Sequence, residues 1–99
     1  MEVRFEDPSL ERLEADPKYA AGLDAALVKV FRKRLQFIRA SPDERAFYNM
    51  KSLHYEKLKG DRDGQRSMRL NDQWRLIVEL KGEAPSKTVL IVEIVDYHR

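Results

Sequence analysis

The chain has 99 residues, is 42% hydrophobic and 36% charged, contains no cysteine, and carries a net charge of only +2 at pH 7. This length and composition predict one domain spanning residues 1–99, and the lack of cysteine excludes disulfides and thiolate zinc sites. Two histidines alone make a poor metal site, so we expect no metal and no cofactor. The sequence begins without a basic, apolar leader and has no run approaching the roughly 20 apolar residues of a membrane span, which predicts a cytoplasmic protein with no membrane partner.

The first half of the chain predicts a short strand and then helices. Residues 2–5 form the candidate strand, and Asp7-Pro8 is a typical helix start because Asp caps the helix and Pro fits its first position. Asp16-Pro17 repeats this signal before a long amphipathic helix. Its apolar residues recur at steps of three and four: Leu23, Leu27, Val30, Phe31, Leu35 and Ile38. We expect the basic residues of the opposite face to stay in solvent: Lys29, Arg32, Lys33 and Arg39.

A second helix start follows the long helix. The run 41–44, Ser-Pro-Asp-Glu, is typical of a capping box with proline at the first helical position. It predicts a short helix that ends near Asn49. Helices therefore fill the first half of the chain.

The second half changes to a period of two, which indicates strands. Leu53 and Tyr55 share one predicted face, while His54 and Glu56 share the other. The run 60–64, Gly-Asp-Arg-Asp-Gly, is typical of a turn and leads into a strand that ends near Leu70.

A tight hairpin at Asn71-Asp72 leads into the next strand. In that strand Arg75 and Glu79 point outward, while the inward face is apolar: Trp74, Leu76, Val78 and Leu80. After a loop over residues 81–87, the almost wholly apolar run 88–95 predicts a last strand buried on both faces. We therefore predict an α+β fold, in which an N-terminal strand and two helices pack on a twisted, mainly antiparallel sheet of four to five strands.

Three segments together resemble a known family. LHYEK at residues 53–57, LKGDRDGQRSMRLNDQWRL at 58–76 and the terminal VDYH at 95–98 resemble HigB-type toxins of the RelE/ParE superfamily, the toxin halves of type II toxin–antitoxin modules. The predicted order of elements agrees with the compact β-α-α-β-β-β-β fold of that superfamily. The resemblance implies a ribosome-dependent endoribonuclease that cuts messenger RNA without metal. It also implies a cognate antitoxin of the helix-turn-helix HigA type that holds the toxin inactive.

The chemistry of such a cleavage can be stated independently. The enzyme must deprotonate a 2′-hydroxyl, stabilise the charge of the phosphorane and protonate the leaving 5′-oxygen. Histidine suits proton transfer near neutral pH, and His98 is therefore the leading candidate. By resemblance to the terminal Asp-Tyr-His of the family, Asp96 orients His98 or acts as a base, and Tyr97 donates a hydrogen bond or stacks on a base.

The predicted cationic strands supply the remaining candidates. Arg69 and Arg75 lie on adjacent strands across the Asn71-Asp72 turn, and we predict that they bind the phosphate or stabilise the transition state. Outer RNA contacts are predicted for Lys57, Lys59 and Arg62.

His54 is a further catalytic candidate, but its position departs from the family pattern. In toxins with the LHPLKGDR form, the histidine lies three residues before the Lys-Gly pair, whereas His54 lies five residues before Lys59. A shift of two residues along a strand is nearly 7 Å, so His54 faces the right way yet lies far from the scissile bond in this interpretation.

Two alternatives share the predicted fold. A ParE-like inhibitor of DNA gyrase would be a binding module, and the terminal Asp-Tyr-His argues against it because such an inhibitor needs no acid or base. An attenuated toxin that retains only antitoxin binding is the other alternative, which the displaced His54 favours.

Overall fold

The structure is a computed structural model that describes residues 1–83 and 87–96. Its elements follow the predicted order of one strand, helices and four further strands. The helices are α1 (Pro8–Ala15), α2 (Ala25–Ala40) and α3 (Arg45–Asn49), and 3₁₀ turns occur at Lys51–Leu53 and Gly60–Arg62. The strands are β1 (Glu2–Phe5), β2 (Glu56–Lys57), β3 (Arg66–Arg69), β4 (Trp74–Lys81) and β5 (Thr88–Asp96).

Helix α1 begins where the sequence predicts, but α2 begins later. The Asp7 side chain accepts a hydrogen bond from the backbone N–H of Ser9 at 2.8 Å, with Pro8 in the first turn. Asp16, predicted to start the long helix, instead accepts from the N–H of Lys18, and the N-cap of α2 is Asp24. The prediction was wrong because the backbone at residues 21 and 22 is left-handed, with φ of +53° and +74°, which a right-handed helix does not allow.

The apolar stripe of α2 forms the centre of the core, as predicted. It packs with α1, α3 and one face of the sheet, and the predicted residues buried there are Leu27, Phe31, Leu35 and Ile38. Val28 is buried as well, whereas Val30 and Leu23, which precedes α2, are only partly buried. Arg32 does not simply lie in solvent. Its guanidinium donates to the carbonyl oxygens of Leu13, Asp16 and Tyr19 at 3.0, 2.8 and 3.2 Å, and so ties the link between α1 and α2 to the face of α2.

The start of α3 contributes a polar bridge instead of a capping box. Glu44 occupies the N-cap position without a side-chain capping bond. Its Oε2 accepts from the Tyr55 hydroxyl at 2.6 Å and from Arg66 Nε at 3.0 Å. Burial and the neighbouring Glu44 carboxylate both raise the pKa of Tyr55. The bridge therefore joins α3 to β3 and to the residue that follows His54.

Tyr55→Phe should lower the free energy of unfolding by about 1 kcal/mol, because it removes one buried hydrogen bond to a carboxylate while Arg66 still satisfies Glu44. Chemical denaturation at neutral pH measures the loss. Tyr48→Phe is the matched control, since the Tyr48 side chain is largely exposed and its ring stacks edge-on against Tyr55 with or without the hydroxyl. Equal stability for wild type and Tyr55→Phe would contradict the bridge.

The sheet has five strands in the order β1-β5-β4-β3-β2. The pairs β2–β3, β3–β4 and β4–β5 are antiparallel, and only the pair β1–β5 in this sheet is parallel, so the prediction of a mainly antiparallel sheet is confirmed. A register shift between Ile77 and Val78 marks an irregularity in the β4–β5 ladder.

The two faces of the sheet differ in what they carry. Met68, Leu76 and Val78 point toward the helices and belong to the core, so their neighbours Arg69 and Arg75 point the other way. Strand β5 was predicted to be buried on both faces, but it is so only in its middle, and its end is exposed at Asp96. The face away from the helices therefore presents charged side chains where β3 and β4 meet their connecting loop.

Candidate functional site

Arg69 and Arg75 are direct partners in the ladder between β3 and β4. The predicted placement of these two residues across the turn is therefore confirmed. Like charges that face each other across a strand pair are destabilising, and two guanidinium groups in this position raise the local positive potential. This arrangement favours the binding of an anion between them.

Arg75 is the more deeply held of the two. Only 13% of its side chain is exposed, and its Nη1 donates to the carbonyl of His54 at 3.2 Å and lies 3.4 Å from Ser67 Oγ. Glu56 Oε1 lies 3.9 Å from the same nitrogen. Arg75 therefore links the centre of the sheet to the turn that carries His54.

Arg69 is held by the loop between β3 and β4. Its Nε donates to the carbonyl of Asn71 at 3.3 Å, and its Nη2 forms an ion pair with Asp72. The Asp72 side chain is 95% exposed, so water screens this pair and it contributes little stability. A phosphate can therefore displace Asp72 from Arg69 with little loss of free energy.

His54 does not lie on a strand, which corrects the sequence interpretation. It follows the 3₁₀ turn Lys51–Leu53 and has left-handed backbone angles, φ +46° and ψ +48°. The predicted alternation of faces is confirmed in burial, since Leu53 and Tyr55 are buried while His54 and Glu56 are exposed. The expected continuous strand was wrong, because the 3₁₀ turn interrupts the extended backbone. As a result, the argument from strand spacing that placed His54 far from the scissile bond does not apply.

These residues share one pocket of about 180 Å³ on the sheet surface. It is lined by His54, Arg69, Asn71, Asp72 and Arg75. The sequence interpretation missed the two loop residues, Asn71 and Asp72, because it assigned them only to a turn. Asn71 does shape that turn, since its Oδ1 accepts from the backbone N–H groups of Gln73 and Trp74. The pocket thus combines two cations, one imidazole and one carboxylate.

The terminal candidates are only partly described. Asp96 pairs with Trp74 in the β4–β5 ladder and its carboxylate accepts from Gln73 Nε2 at 3.0 Å. Because alternate residues of a strand face opposite sides, Asp96 is on the side of Trp74, not of Arg75. It is not among the described residues that line the pocket. Tyr97 and His98 lie outside the described residues.

The predicted outer cations differ in their surroundings. Lys57, on β2, and Lys59, just beyond it, are exposed. Arg62 is partly engaged, because its guanidinium bonds Glu93 at 3.0 Å and Gln65 at 2.9 Å. Arg62 therefore ties the 3₁₀ turn Gly60–Arg62 to β5, while the two lysines remain in contact with solvent.

His54→Gly should separate stability from activity. A left-handed backbone at a residue with a Cβ costs roughly 1–2 kcal/mol, and glycine removes that strain. Glycine also loses more chain entropy on folding, which offsets part of the gain. We therefore expect the free energy of unfolding to be unchanged or up to about 1 kcal/mol higher. We expect the cleavage activity proposed below to fall. Denaturation and a cleavage assay on the same preparation measure both quantities.

The matched control for this variant is Ala21→Gly. Ala21 also has a left-handed backbone, with φ +53°, but it lies in the link between α1 and α2. It should show the same pattern in stability and keep full activity. Full activity of His54→Gly would remove His54 from the catalytic candidates.

Within residues 1–83 and 87–96, no three His, Asp or Glu side chains are grouped so that they could hold a metal ion. None of the helices in this part of the chain is long and apolar enough to cross a membrane.

Solved structures share the fold of this chain. A YoeB/ParE toxin from Agrobacterium tumefaciens superposes with a TM-score of 0.61 at 17% identity, over 99% of this chain and 100% of the other. The YoeB-YefM complex from Staphylococcus aureus gives 0.62 at 22% identity, over 100% and 98%. YafQ from Escherichia coli strain BL21(DE3) gives 0.56 at 13% identity, over 96% and 91%. The strand order and helices thus define the RelE/ParE-like fold of small bacterial toxins, as the sequence predicts.

A family model narrows this class. The model of the HigB-like toxins, described as RelE-like toxins of type II toxin–antitoxin systems, matches residues 3–98. The chain therefore belongs to the HigB-like toxin family. No curated protein sequence matches the chain significantly.

Proposed function

We propose that the chain is the toxin of a type II module that cleaves messenger RNA on the ribosome, in a reaction that needs no metal, and so stops translation and growth. The observation that carries this proposal is the pocket in which Arg69 and Arg75 face each other beside His54. Two guanidinium groups with an adjacent imidazole match the needs of phosphodiester cleavage, namely charge stabilisation and proton transfer.

The reaction assigns a task to each group. A base takes the proton of the 2′-hydroxyl, the 2′-oxygen then attacks phosphorus, and the 5′-oxygen leaves with a proton from an acid. The products are a 2′,3′-cyclic phosphate and a 5′-hydroxyl. Arg69 and Arg75 bind the phosphate oxygens, on which negative charge grows in the transition state. His54 lines the same pocket, and we assign it the transfer of one of the protons.

The C-terminal residues complete this proposal by family resemblance. His98 is the main acid or base, Tyr97 stacks or donates a hydrogen bond, and Asp96 assists His98. The position of Asp96 on the Trp74 side supports an indirect role for its carboxylate, through the terminal residues, over direct contact with the phosphate held by Arg69 and Arg75.

The surrounding cations define a path for the RNA backbone. Lys57 and Lys59 are exposed on and beyond β2, the strand next to β3, so they can contact phosphates flanking the scissile bond. Arg62 can join them if RNA displaces Glu93 from a pair that is exposed to solvent. These contacts contribute affinity rather than chemistry.

The partners follow from the family. A toxin of a type II module is paired with an antitoxin, and we propose a helix-turn-helix protein of the HigA type. The similar Staphylococcus aureus structure is a complex of YoeB with YefM, which supports an antitoxin as a protein partner. The ribosome and its message are the proposed targets, and both place the action in the cytoplasm.

The composition of the pocket argues against the two alternative functions. A ParE-like gyrase inhibitor needs no histidine in a pocket with two arginines, and an attenuated toxin was favoured only by the displaced position of His54 in the sequence. Because His54 lines the pocket with both arginines, its position now supports an active enzyme.

Inducible expression in a bacterial host tests the proposal. We expect growth arrest together with newly cut messages, mapped by their 5′ ends, and relief when the neighbouring helix-turn-helix gene is co-expressed. Arg75→Ala at an equal soluble level is the control and should be harmless. Arrest with changed plasmid supercoiling and intact messages would favour gyrase inhibition, and a folded but harmless wild type would favour the attenuated toxin.

A further inference from the structure

Arg34 is a half-buried cation on the face of α2 that meets the sheet. Its Nη2 donates to the carbonyl oxygen of Arg69 at 2.9 Å, across 35 positions of sequence. Its Nε is fully buried and has no hydrogen-bond partner. Arg34 therefore contacts the backbone of a residue in the candidate site from the side opposite the pocket.

The charge of Arg34 is not neutralised by a carboxylate in the described part of the chain. No ion pair involves it there, and burial is what lowers its pKa. A buried guanidinium without a counter-charge is unfavourable, and an apolar residue of the same size avoids that penalty. Structural stability alone therefore does not account for an arginine at this position.

Arg32 provides a direct comparison on the same helix. It also donates to backbone carbonyls, but those belong to Leu13, Asp16 and Tyr19, and none lies in the pocket. Arg32 holds a loop, whereas Arg34 holds the end of β3, where the chain enters the loop that carries Asn71 and Asp72. Both guanidinium groups therefore donate to backbone carbonyls, but only the carbonyl bound by Arg34 belongs to a residue of the pocket.

We infer that Arg34 is a positioning residue for RNA cleavage, an inference that rests on the proposed function. It fixes the Arg69 peptide, and with it the direction from which the Arg69 guanidinium meets the phosphate. Its positive charge also reaches the pocket through a low-dielectric interior, where charge is weakly screened. A bound phosphate then supplies the negative charge that Arg34 otherwise lacks.

The test is single-turnover cleavage of a message on purified ribosomes at increasing protein concentration, which gives a maximal rate and a half-saturating concentration. Arg34→Met should lower the maximal rate by on the order of 10- to 100-fold, because a small misplacement of a phosphate-binding group is costly in the transition state. The half-saturating concentration should change little, since the outer lysines are intact. Arg34→Lys should recover most of the rate, because lysine restores the charge and one donor.

Arg32→Met is the matched control. It should lower the melting temperature, because three carbonyl oxygens lose their donor, and leave the maximal rate of the folded protein unchanged. Circular dichroism verifies that every variant assayed is folded. If Arg34→Met does not fold, Arg34→Lys is compared with wild type instead. The inference then requires Arg34→Lys to cleave at a near-normal rate.

The outcomes separate this inference from the proposed function. A wild type that does not cleave overturns both. A wild type that cleaves, with Arg34→Met at the same rate, overturns the role of Arg34 alone. An Arg34→Lys variant as slow as Arg34→Met also overturns it, because a restored charge and hydrogen-bond donor would then not restore cleavage.

Discussion

Arg75→Ala is expected to lower the rate of message cleavage on the order of a hundredfold, because a charge-assisted contact that tightens in the transition state contributes roughly 3 kcal/mol. Two structural consequences add to the loss of charge. Arg75 Nη1 no longer holds the His54 carbonyl, and Arg69 loses its cross-strand partner. Arg69→Ala should have a similar effect, and the double variant should be less impaired than the product of the two, since both bind one phosphate. Cleavage of a message on purified ribosomes measures each rate.

Lys57→Ala is the control for this prediction. Lys57 is exposed on β2, so its loss should weaken binding and reduce the salt dependence while leaving the maximal rate nearly unchanged. Arg75→Lys separates charge from geometry, because lysine keeps the charge but does not reproduce the fork that contacts His54 and Ser67. Equal losses of maximal cleavage rate in Lys57→Ala and in the two arginine-to-alanine variants would show that the pocket is no more than part of a cationic surface.

The second large effect is expected at His98. His98→Gln keeps a hydrogen-bonding side chain that does not titrate, and a positioned acid or base contributes typically two to four powers of ten in rate. We therefore expect loss of growth arrest and of message cleavage, with folding and antitoxin binding intact. This prediction comes from the sequence, since His98 lies outside the described residues. Growth on induction and pull-down by the antitoxin measure the two properties.

His54→Gln gives the matched comparison for His98→Gln. If both histidines move protons, the two variants alter opposite limbs of the dependence of rate on pH, and each lowers the maximal rate. If His98→Gln is fully toxic and His54→Gln is not toxic, proton transfer is assigned to His54 alone. Full toxicity of both variants would refute proton transfer by histidine and favour gyrase inhibition.

The sequence predicted those parts of the fold in which local pattern and tertiary packing agree. Strand β1 occupies Glu2–Phe5 as predicted, and the buried face of α2 follows the apolar stripe. Arg69 and Arg75 were placed correctly because a period of two on both sides of a short turn determines which residues share a face. These are properties of residues close together in the chain.

The wrong predictions occur where the backbone adopts a left-handed conformation at a residue other than glycine, or next to one. The start signal at Asp16 is followed by two left-handed residues, which delay α2 until Ala25. His54 has a left-handed conformation that only its tertiary setting selects, including the bond from Arg75 to its carbonyl. A non-glycine residue in this conformation is uncommon, so the alternation of polar and apolar residues gave no indication of it.

Long-range polar contacts were also beyond the sequence. Arg34 lies next to the apolar stripe of α2, and its contact with the Arg69 carbonyl depends on how the helix crosses the sheet. The assignment of Asp96 to the Trp74 side depends on the register of β5, which an irregularity between Ile77 and Val78 shifts. Both features affect a site residue, and neither produces a recognisable pattern in the local sequence.

Whether this pocket cleaves RNA is tested by incubating the purified chain with a message bound to ribosomes and characterising the new ends chemically. We expect fragments with 2′,3′-cyclic phosphate and 5′-hydroxyl ends for the wild type, and their near absence for Arg69→Ala and Arg75→Ala at equal concentration and equal helix content. An intact message with the wild type, or fragments formed equally well by both arginine variants, would contradict the claim that this pocket cleaves RNA.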